Sequence, residues 1–253
     1  MKKILVTGFE PFGGEKINPA WEAVKALPET VGDAQVIKLH VPVEFGVGAQ
    51  KVIDTLEAER PEIVLCVGQA GGRSKITPEF VGINWAYARI PDNAGKQPFS
   101  QRIIDGAPDA YFATLPVNAM VAAMKQVEIP AAVSYTAGTY VCNDVMYQVL
   151  HALATRFPET RGTFLHVPFA TEQVVEKNAA VSEKNAAGEK DAAGEKGAAG
   201  EKGTAVEKGT AGEKFRPVPS MPLEMMTRGL QVALEAALAT DVDLADSESG
   251  TTC

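Results

Sequence analysis

The apolar positions of the chain fall into short continuous runs separated by longer stretches with helical spacing. Short runs bounded by glycine or polar residues are typical of strands that are buried on both faces of a sheet. The predicted strands cover residues 3–7, 35–43, 62–68, 129–135 and 162–168. Their regular recurrence indicates a mostly parallel sheet.

Between these runs, apolar residues recur every three or four positions, which is the spacing of an amphipathic helix. The predicted helices cover residues 21–27, 45–60, 117–127 and 143–154, and a final helix begins at Ser220. Asn18 and Pro19 precede the first helix and are typical of an N-cap and first turn. Strands that alternate with helices predict an α/β fold.

The composition changes abruptly at Lys177, where a hexapeptide tract begins and continues to residue 214. The tract has almost no large apolar side chains, so it cannot bury enough surface to offset the entropy of ordering. We therefore predict a single domain over residues 1–253 with 177–214 as a disordered surface insertion. Residues 241–253 are predicted to form a flexible acidic tail.

Composition and charge narrow the class of protein. The formal net charge of −8 argues against non-specific nucleic-acid binding. The sequence contains neither a run long enough to span a membrane nor a signal peptide. Its three widely spaced cysteines form no disulfide framework or zinc pattern. We therefore expect a protein of the reducing cytoplasm that has no membrane partner and binds no metal.

Cys142 is the candidate for chemistry, because it lies where a predicted strand hands over to a predicted helix. Unpaired N–H groups and the helix dipole stabilise an anion there, so we expect the thiol to ionise readily and act as a nucleophile. His166 lies near the carboxyl end of another strand and suits the role of base. The alternative is that both residues are ordinary members of the core.

The residues alone do not decide which side chain would orient the imidazole. Glu79 is favoured because its segment leaves the same sheet edge, but composition does not exclude Asp92 or Glu10. Phe9 and Phe12 lie in a glycine-rich loop, where they either fix the loop to the core or form flat walls for a small ligand. The loop matches neither of the common phosphate-binding patterns.

Six stretches of the first 175 residues carry a family resemblance. They are residues 7–14 (TGFEPFGG), 67–73 (VGQAGGR), 76–79 (ITPE), 88–93 (ARIPDN), 134–143 (SYTAGTYVCN) and 164–168 (FLHVP). In order and spacing they resemble pyroglutamyl peptidase type I, also called pyrrolidone-carboxylate peptidase, of bacteria and archaea. The resemblance implies a three-layer α/β/α sandwich around a mostly parallel twisted sheet, often assembled as a tetramer.

The activity implied by the resemblance is that of a cysteine exopeptidase without a cofactor. Such an enzyme removes an N-terminal pyroglutamyl residue from peptides through a thioester acyl-enzyme intermediate. By position, Cys142 resembles the nucleophile, His166 the base and Glu79 the carboxylate that orients the base. The expected partners are pyroglutamyl peptides and further copies of the chain.

The resemblance also implies a substrate pocket. The matching positions are the aromatic pair Phe9 and Phe12, the pocket residue Gln69, Arg89 near the active site, and Tyr140 and Val141 beside the nucleophile. Pyroglutamate is a neutral lactam, so apolar walls and a few amide-directed hydrogen bonds suit it. Proline lacks the ring carbonyl and would leave buried polar groups unpaired.

Two other functions fit parts of the pattern. A non-catalytic protein that binds small lactams could use the same scaffold, and a transferase resembling nucleoside phosphorylases could have a similar layout. Reactivity of Cys142 at a pH where ordinary thiols are inert would favour the enzyme over the lactam-binding protein. Phosphate-dependent turnover would favour the transferase.

Overall fold

The computed structural model describes residues 2–175 and 218–244. The predicted insertion at 177–214 lies outside the described residues, as does the predicted tail beyond residue 244. The strands are β1 (Lys2–Phe9), β2 (Thr30–Val31), β3 (Ala34–Val41), β4 (Ile63–Gln69), β5 (Thr77–Glu79), β6 (Val81–Ile83), β7 (Ala110–Phe112), β8 (Arg161–Val167), β9 (Phe169–Ala170) and β10 (Ser220–Met221). The helices are α1 (Pro19–Lys25), α2 (Val47–Glu59), α3 (Val117–Gln126), α4 (Val141–Arg156) and α5 (Leu223–Ala239).

The main sheet has the strand order β2-β3-β1-β4-β8-β5. Its four inner strands run parallel, whereas β2 and β5 pair antiparallel at the two edges. Two small sheets accompany it: β6 pairs antiparallel with β7, and β9 pairs parallel with β10. The predicted mostly parallel sheet is therefore confirmed.

Each face of the main sheet is covered by helices. Ile4 and Val6 of β1 pack into a core that includes residues of α1, α3 and α5, whereas Leu5 packs into a second core with residues of α2 and α4. This division follows from the strand geometry, because successive side chains point to opposite faces. The two cores confirm the three-layer α/β/α sandwich.

The predicted strand at 129–135 is not a regular strand. The segment runs beside β5, but it is joined to its neighbour by two isolated bridges, Ile76 with Ala131 and Glu79 with Ser134. Ala132 N donates to Ile76 O, and the next bond along the ladder is from Ser134 N to Pro78 O. Pro78 has no N–H to donate between these two positions, so the ladder is interrupted there.

Two helix starts also differ from the prediction. Helix α4 begins at Val141, so Cys142 is its second residue rather than the residue before it. The final helix begins at Leu223, because Ser220 and Met221 form β10. A proline disfavours helical backbone in the residue before it, and Pro222 therefore keeps Met221 extended.

Several polar side chains fix the helix ends. The Asn18 side chain accepts a hydrogen bond from Ala20 N, which confirms the predicted N-cap of α1. Asp243, at the start of the predicted tail, accepts hydrogen bonds from Asn118 N and Ala119 N at the first turn of α3. Within residues 2–175 and 218–244, no helix is both long and apolar enough to cross a membrane.

Asn143 attaches the first turn of α4 to the neighbouring chain. Its amide oxygen accepts a hydrogen bond from Ile83 N at 2.9 Å, and its amide nitrogen donates to Ile83 O at 2.9 Å and Trp85 O at 3.0 Å. The side chain is fully buried. The start of the helix that carries Cys142 is thereby held by three hydrogen bonds.

We expect Asn143→Ala to lower the free energy of unfolding by about 2–3 kcal/mol, because it leaves buried backbone groups unpaired. Urea denaturation measures the change. Gln50→Ala is the matched control, since the exposed Gln50 amide bonds to Asp54 on α2. Its effect on the free energy of unfolding should stay within about 0.5 kcal/mol. Equal stability of the two variants would contradict the anchoring role of Asn143.

Candidate active site

The Cys142 sulfur packs against a glycine of the main sheet. A Cβ atom added to Gly68, near the carboxyl end of β4, would lie 3.1 Å from Cys142 Sγ and 2.7 Å from Phe164 Cζ. Glycine therefore allows the sulfur to approach the strand closely. The thiol lies at the carboxyl edge of the parallel strands, where ligands of open α/β sheets bind.

His166 lies on the neighbouring strand β8, directly opposite Gly68 in the parallel register. Register partners direct their side chains to the same face of a sheet. The position of a Cβ at Gly68 points toward Cys142 Sγ, so the imidazole lies on the face that carries the sulfur. The sheet thus brings Cys142 and His166 to one edge and one face.

Glu79 is the carboxylate that meets the histidine. Its Oε1 lies 2.7 Å from His166 Nδ1, and the Glu79 side chain has no exposed surface. Strand β5 places it there by pairing antiparallel with β8. The alternatives left open by composition, Asp92 and Glu10, bind elsewhere: Asp92 accepts from Phe45 N, and Glu10 accepts from Val43 N.

The other two histidines lie away from this pair. His151 Nδ1 is 2.9 Å from the Tyr111 hydroxyl, and its ring stacks on Tyr147. His40 is exposed, and its ring centroid lies 4.6 Å from that of Trp21. Neither histidine contacts Glu79.

The charge states of the pair follow from burial and hydrogen bonding. Burial opposes ionisation of Glu79, but the hydrogen bonds from His166 and Arg73 outweigh it, so the pKa of Glu79 lies below its usual value. Burial lowers the pKa of His166 more than Glu79 raises it. At neutral pH the imidazole is therefore uncharged. Its Nδ1 carries the proton donated to Glu79, which leaves the Nε2 lone pair free to accept a proton.

The predicted ready ionisation of Cys142 is wrong for this structure. Burial raises the pKa of the thiol to about 12, and the negative charge of Glu79 acts in the same direction. Arg73 and the N–H group of Cys142 itself lower the pKa, but by less. The residue keeps partial solvent access, while apolar neighbours surround the sulfur. A thiol of this kind is protonated at rest and needs a base to form the thiolate.

The first turn of α4 supplies backbone donors beside the sulfur. The first helical hydrogen bond runs from Asp144 N to Tyr140 O at 3.1 Å. The N–H groups of Cys142 and Asn143 precede it, so they have no partner within the helix. Such donors can stabilise an oxyanion that forms next to the sulfur.

Arg73 is a functional candidate to which the sequence analysis gave no role. Its Nη1 donates to Glu79 Oε1 at 2.7 Å and to Thr77 Oγ1 at 2.6 Å, and its Nη2 donates to Thr136 O at 3.1 Å. A buried carboxylate needs such a partner, and this arginine belongs to the motif at 67–73. Arg89, by contrast, is exposed and forms no hydrogen bond or ion pair with any described residue.

A small cleft opens beside the sulfur. Its lining residues are Phe9, Phe12, Asn18, Val43, Gln69, Tyr140, Val141 and Cys142. Five of the six predicted substrate-binding residues therefore line this cleft, and the sixth, Arg89, does not. Asn18 was predicted only as a helix cap, and no role was predicted for Val43. A mainly apolar cleft with a few polar groups suits a small neutral ligand.

No group of histidine, cysteine and acidic side chains in the described part of the chain could hold a metal ion. The cleft, the sulfur and the His166–Glu79 pair lie together at this edge of the sheet. They suit nucleophilic attack by sulfur with a histidine base.

The chain is similar to known peptidases in sequence. Residues 2–192 match the family model described as pyroglutamyl peptidase. A pyrrolidone-carboxylate peptidase of Enterococcus faecalis is 53% identical over 175 residues, which are 69% of this chain and 82% of that protein. One from Clostridium botulinum is 40% identical over 242 residues, which are 96% of each chain.

Solved structures agree with the sequence relatives. The crystal structure of pyroglutamyl peptidase I from Bacillus amyloliquefaciens has a TM-score of 0.79 and 37% identity, and the match covers 96% of this chain and 98% of that one. None of these similarities supports a non-catalytic lactam-binding protein. The chain therefore belongs to the pyroglutamyl peptidase family, cysteine peptidases whose activity is the removal of N-terminal pyroglutamate from peptides.

Proposed function

We propose that the protein removes N-terminal pyroglutamate with Cys142 as the nucleophile, His166 as the general base and Glu79 as the carboxylate that orients the base. The observation that carries this assignment is the buried 2.7 Å contact between His166 Nδ1 and Glu79 Oε1, at the sheet edge where the Cys142 sulfur lies. The family membership of the chain supports it.

In the first half of the reaction, His166 Nε2 takes the proton from the Cys142 thiol as the sulfur attacks the pyroglutamyl carbonyl carbon. The carbonyl oxygen becomes an oxyanion, which the N–H groups at the start of α4 stabilise. Glu79 stabilises the imidazolium formed at this stage. The carbon–nitrogen bond then breaks, and the imidazolium gives its proton to the leaving amine.

In the second half, water hydrolyses the thioester. The neutral His166 again acts as base and removes a proton from the attacking water molecule. The carbon–sulfur bond breaks, the sulfur recovers the proton from the imidazolium, and pyroglutamic acid leaves. The cycle restores the neutral thiol and the neutral imidazole.

The cleft supports recognition of a five-membered lactam. Phe9 and Phe12 provide apolar walls for the ring, and Tyr140 and Val141 close the cleft beside the sulfur. The Tyr140 hydroxyl donates to Pro91 O at 2.9 Å, which holds this wall in place. Gln69 is proposed to bind the polar edge of the lactam. The proposed role of Arg89 rests on the family resemblance alone.

We further infer that the protein acts in the cytoplasm as a homo-oligomer, a tetramer by family resemblance. Cys66 and Cys142 are both free thiols, which is usual in a reducing compartment. Phe112 and Tyr135 are 63% and 65% exposed, and the ring of each contacts the ring of Phe80. An exposed aromatic cluster supports contact between copies of a chain.

Sedimentation equilibrium tests the assembly. We expect a particle of four chains of 26.8 kDa each, and we expect Phe112→Ser with Tyr135→Ser to reduce its mass. A monomer at all micromolar concentrations of the unaltered chain would contradict the oligomer.

The nucleophile is tested by Cys142→Ser. Because a hydroxyl is a much weaker nucleophile in this setting, we expect kcat/KM on a pyroglutamyl anilide to fall by on the order of 10³-fold or more. Cys66→Ala is the control, since that thiol is buried in the core and has no role in the proposed chemistry. Activity of Cys142→Ser close to that of the unaltered enzyme would rule out Cys142, and cleavage of prolyl anilide at an equal rate would rule out the substrate class.

The charge of Arg73 is tested by the pH dependence of kcat/KM. His166 must be neutral to act as base, and its pKa is lowered by burial and, to a lesser extent, by the Arg73 charge. The acid limb should therefore lie below the ordinary histidine pKa of about 6.5. We expect Arg73→Gln to move this limb to higher pH, because removal of a positive charge makes the imidazolium easier to form.

Arg73→Lys is the matched variant, because it retains the charge but loses the planar set of donors. We expect it to keep the acid limb near its original pH while kcat falls about tenfold through poorer placement of Glu79. An acid limb that stays unchanged in Arg73→Gln would contradict this electrostatic role.

A further inference from the structure

Gln173 is a buried glutamine, and both the oxygen and the nitrogen of its side-chain amide form hydrogen bonds. It is 4% exposed. Its Oε1 accepts a hydrogen bond from Ala170 N at 2.9 Å. Its Nε2 lies 3.1 Å from Glu15 Oε2, 3.1 Å from Gln69 Oε1 and 3.4 Å from Ile17 O. The side chain therefore joins its own segment to residues 15–17 and to Gln69.

The partners allow only one orientation of the Gln173 amide. The backbone N–H of Ala170 can only donate, so the atom that faces it is the amide oxygen. The carboxylate of Glu15 and the carbonyl of Ile17 can only accept, so the atom that faces them is the amide nitrogen. The two hydrogens of that nitrogen serve Glu15 and Gln69 at the shorter distances.

This orientation determines the orientation of Gln69. Because Gln173 presents a donor, the Gln69 atom that faces it must be the acceptor Oε1. The Gln69 Nε2 group is left with no hydrogen-bond partner among residues 2–175 and 218–244, and it is not one of the buried unpaired atoms. Gln69 lines the cleft beside Phe9 and Cys142. Gln69 therefore presents its N–H groups, rather than its amide oxygen, to the cleft.

We propose that Gln173 is a positioning residue that holds the Gln69 amide with its N–H groups toward the cleft, so that the cleft selects N-terminal residues with a ring carbonyl. The inference rests on the proposed function of the cleft. If the Gln69 amide were turned by 180°, its oxygen would face the lactam carbonyl oxygen, and two acceptors repel each other. A pyroglutamyl ring would then lose its advantage over a prolyl ring.

The test reverses the donor at position 173. In Gln173→Glu the introduced carboxylate accepts only, so Gln69 should turn its Nε2 toward it and its oxygen toward the cleft. We expect KM for a pyroglutamyl anilide to rise about tenfold while kcat changes less than about twofold. The ratio of kcat/KM between pyroglutamyl and prolyl anilides should fall by a similar factor.

Two companion variants separate this effect from damage to the loop that carries Glu15. Gln173→Glu combined with Glu15→Gln restores a donor and acceptor pair between positions 173 and 15, so the loop is held while Gln69 is still reversed. Gln173→Met fills a similar volume without a hydrogen bond and should give an intermediate rise in KM. Thermal unfolding of each variant establishes that it is folded.

A double-mutant cycle with Gln69→Ala gives the decisive comparison. Once the Gln69 amide is removed, Gln173→Glu should change KM by less than about twofold, because the proposed route runs through that amide. A tenfold rise in KM that persists in the Gln69→Ala background would overturn the proposal, and so would an unchanged KM in folded Gln173→Glu.

A binding measurement distinguishes failure of this inference from failure of the proposed function. Calorimetry with 2-pyrrolidinone, a neutral five-membered lactam, can be performed on Cys142→Ser and on Cys142→Ser with Gln173→Glu. We expect about tenfold weaker binding in the second protein, whether or not the unaltered chain hydrolyses anilides. Equal binding to both proteins would overturn the role of Gln173 even if the peptidase activity is present.

Discussion

The site depends on one buried hydrogen bond, between His166 Nδ1 and Glu79 Oε1. A carboxylate with no exposed surface is costly unless hydrogen bonds offset its lost hydration, and here His166 and Arg73 both contact the same oxygen. The bond fixes the tautomer of the imidazole, which leaves Nε2 as the only basic atom. The edge strand β5 is paired antiparallel to β8 and delivers Glu79 to this position.

Burial explains why the proposed nucleophile rests as a neutral thiol. Burial holds the pKa of Cys142 near 12, and burial also keeps His166 uncharged. Neither group bears a charge that the apolar surroundings would have to accommodate before substrate arrives. In the proposed mechanism, charge separates only as the sulfur attacks, when the first turn of α4 faces the oxyanion and Glu79 faces the imidazolium. Asn143 anchors the turn that supplies the proposed oxyanion donors.

The sequence predicted the layers of the fold well, because the periods of apolar residues report burial directly. It did not predict that Pro78 interrupts pairing at 129–135, since this depends on which strand lies alongside. The ready ionisation expected of the Cys142 thiol was wrong, because its position at a helix start could be predicted from the sequence, whereas its burial could not. No role was predicted for Arg73 or Gln173, because each bonds to a residue that becomes its neighbour only in the folded chain. Arg73 bonds to Glu79, and Gln173 bonds to Gln69. Resemblance to a family located most of the cleft residues, although it included Arg89, which lies outside the lining, and missed Asn18 and Val43. The contacts between the cleft residues came from the structure.

Nitrogen NMR of His166 shows which ring nitrogen carries the proton. At pH 7 we expect a neutral imidazole with the proton on Nδ1, a strongly hydrogen-bonded Nδ1–H signal, and loss of that signal in Glu79→Gln. A proton on Nε2, or a charged imidazolium at pH 7, would contradict this expectation.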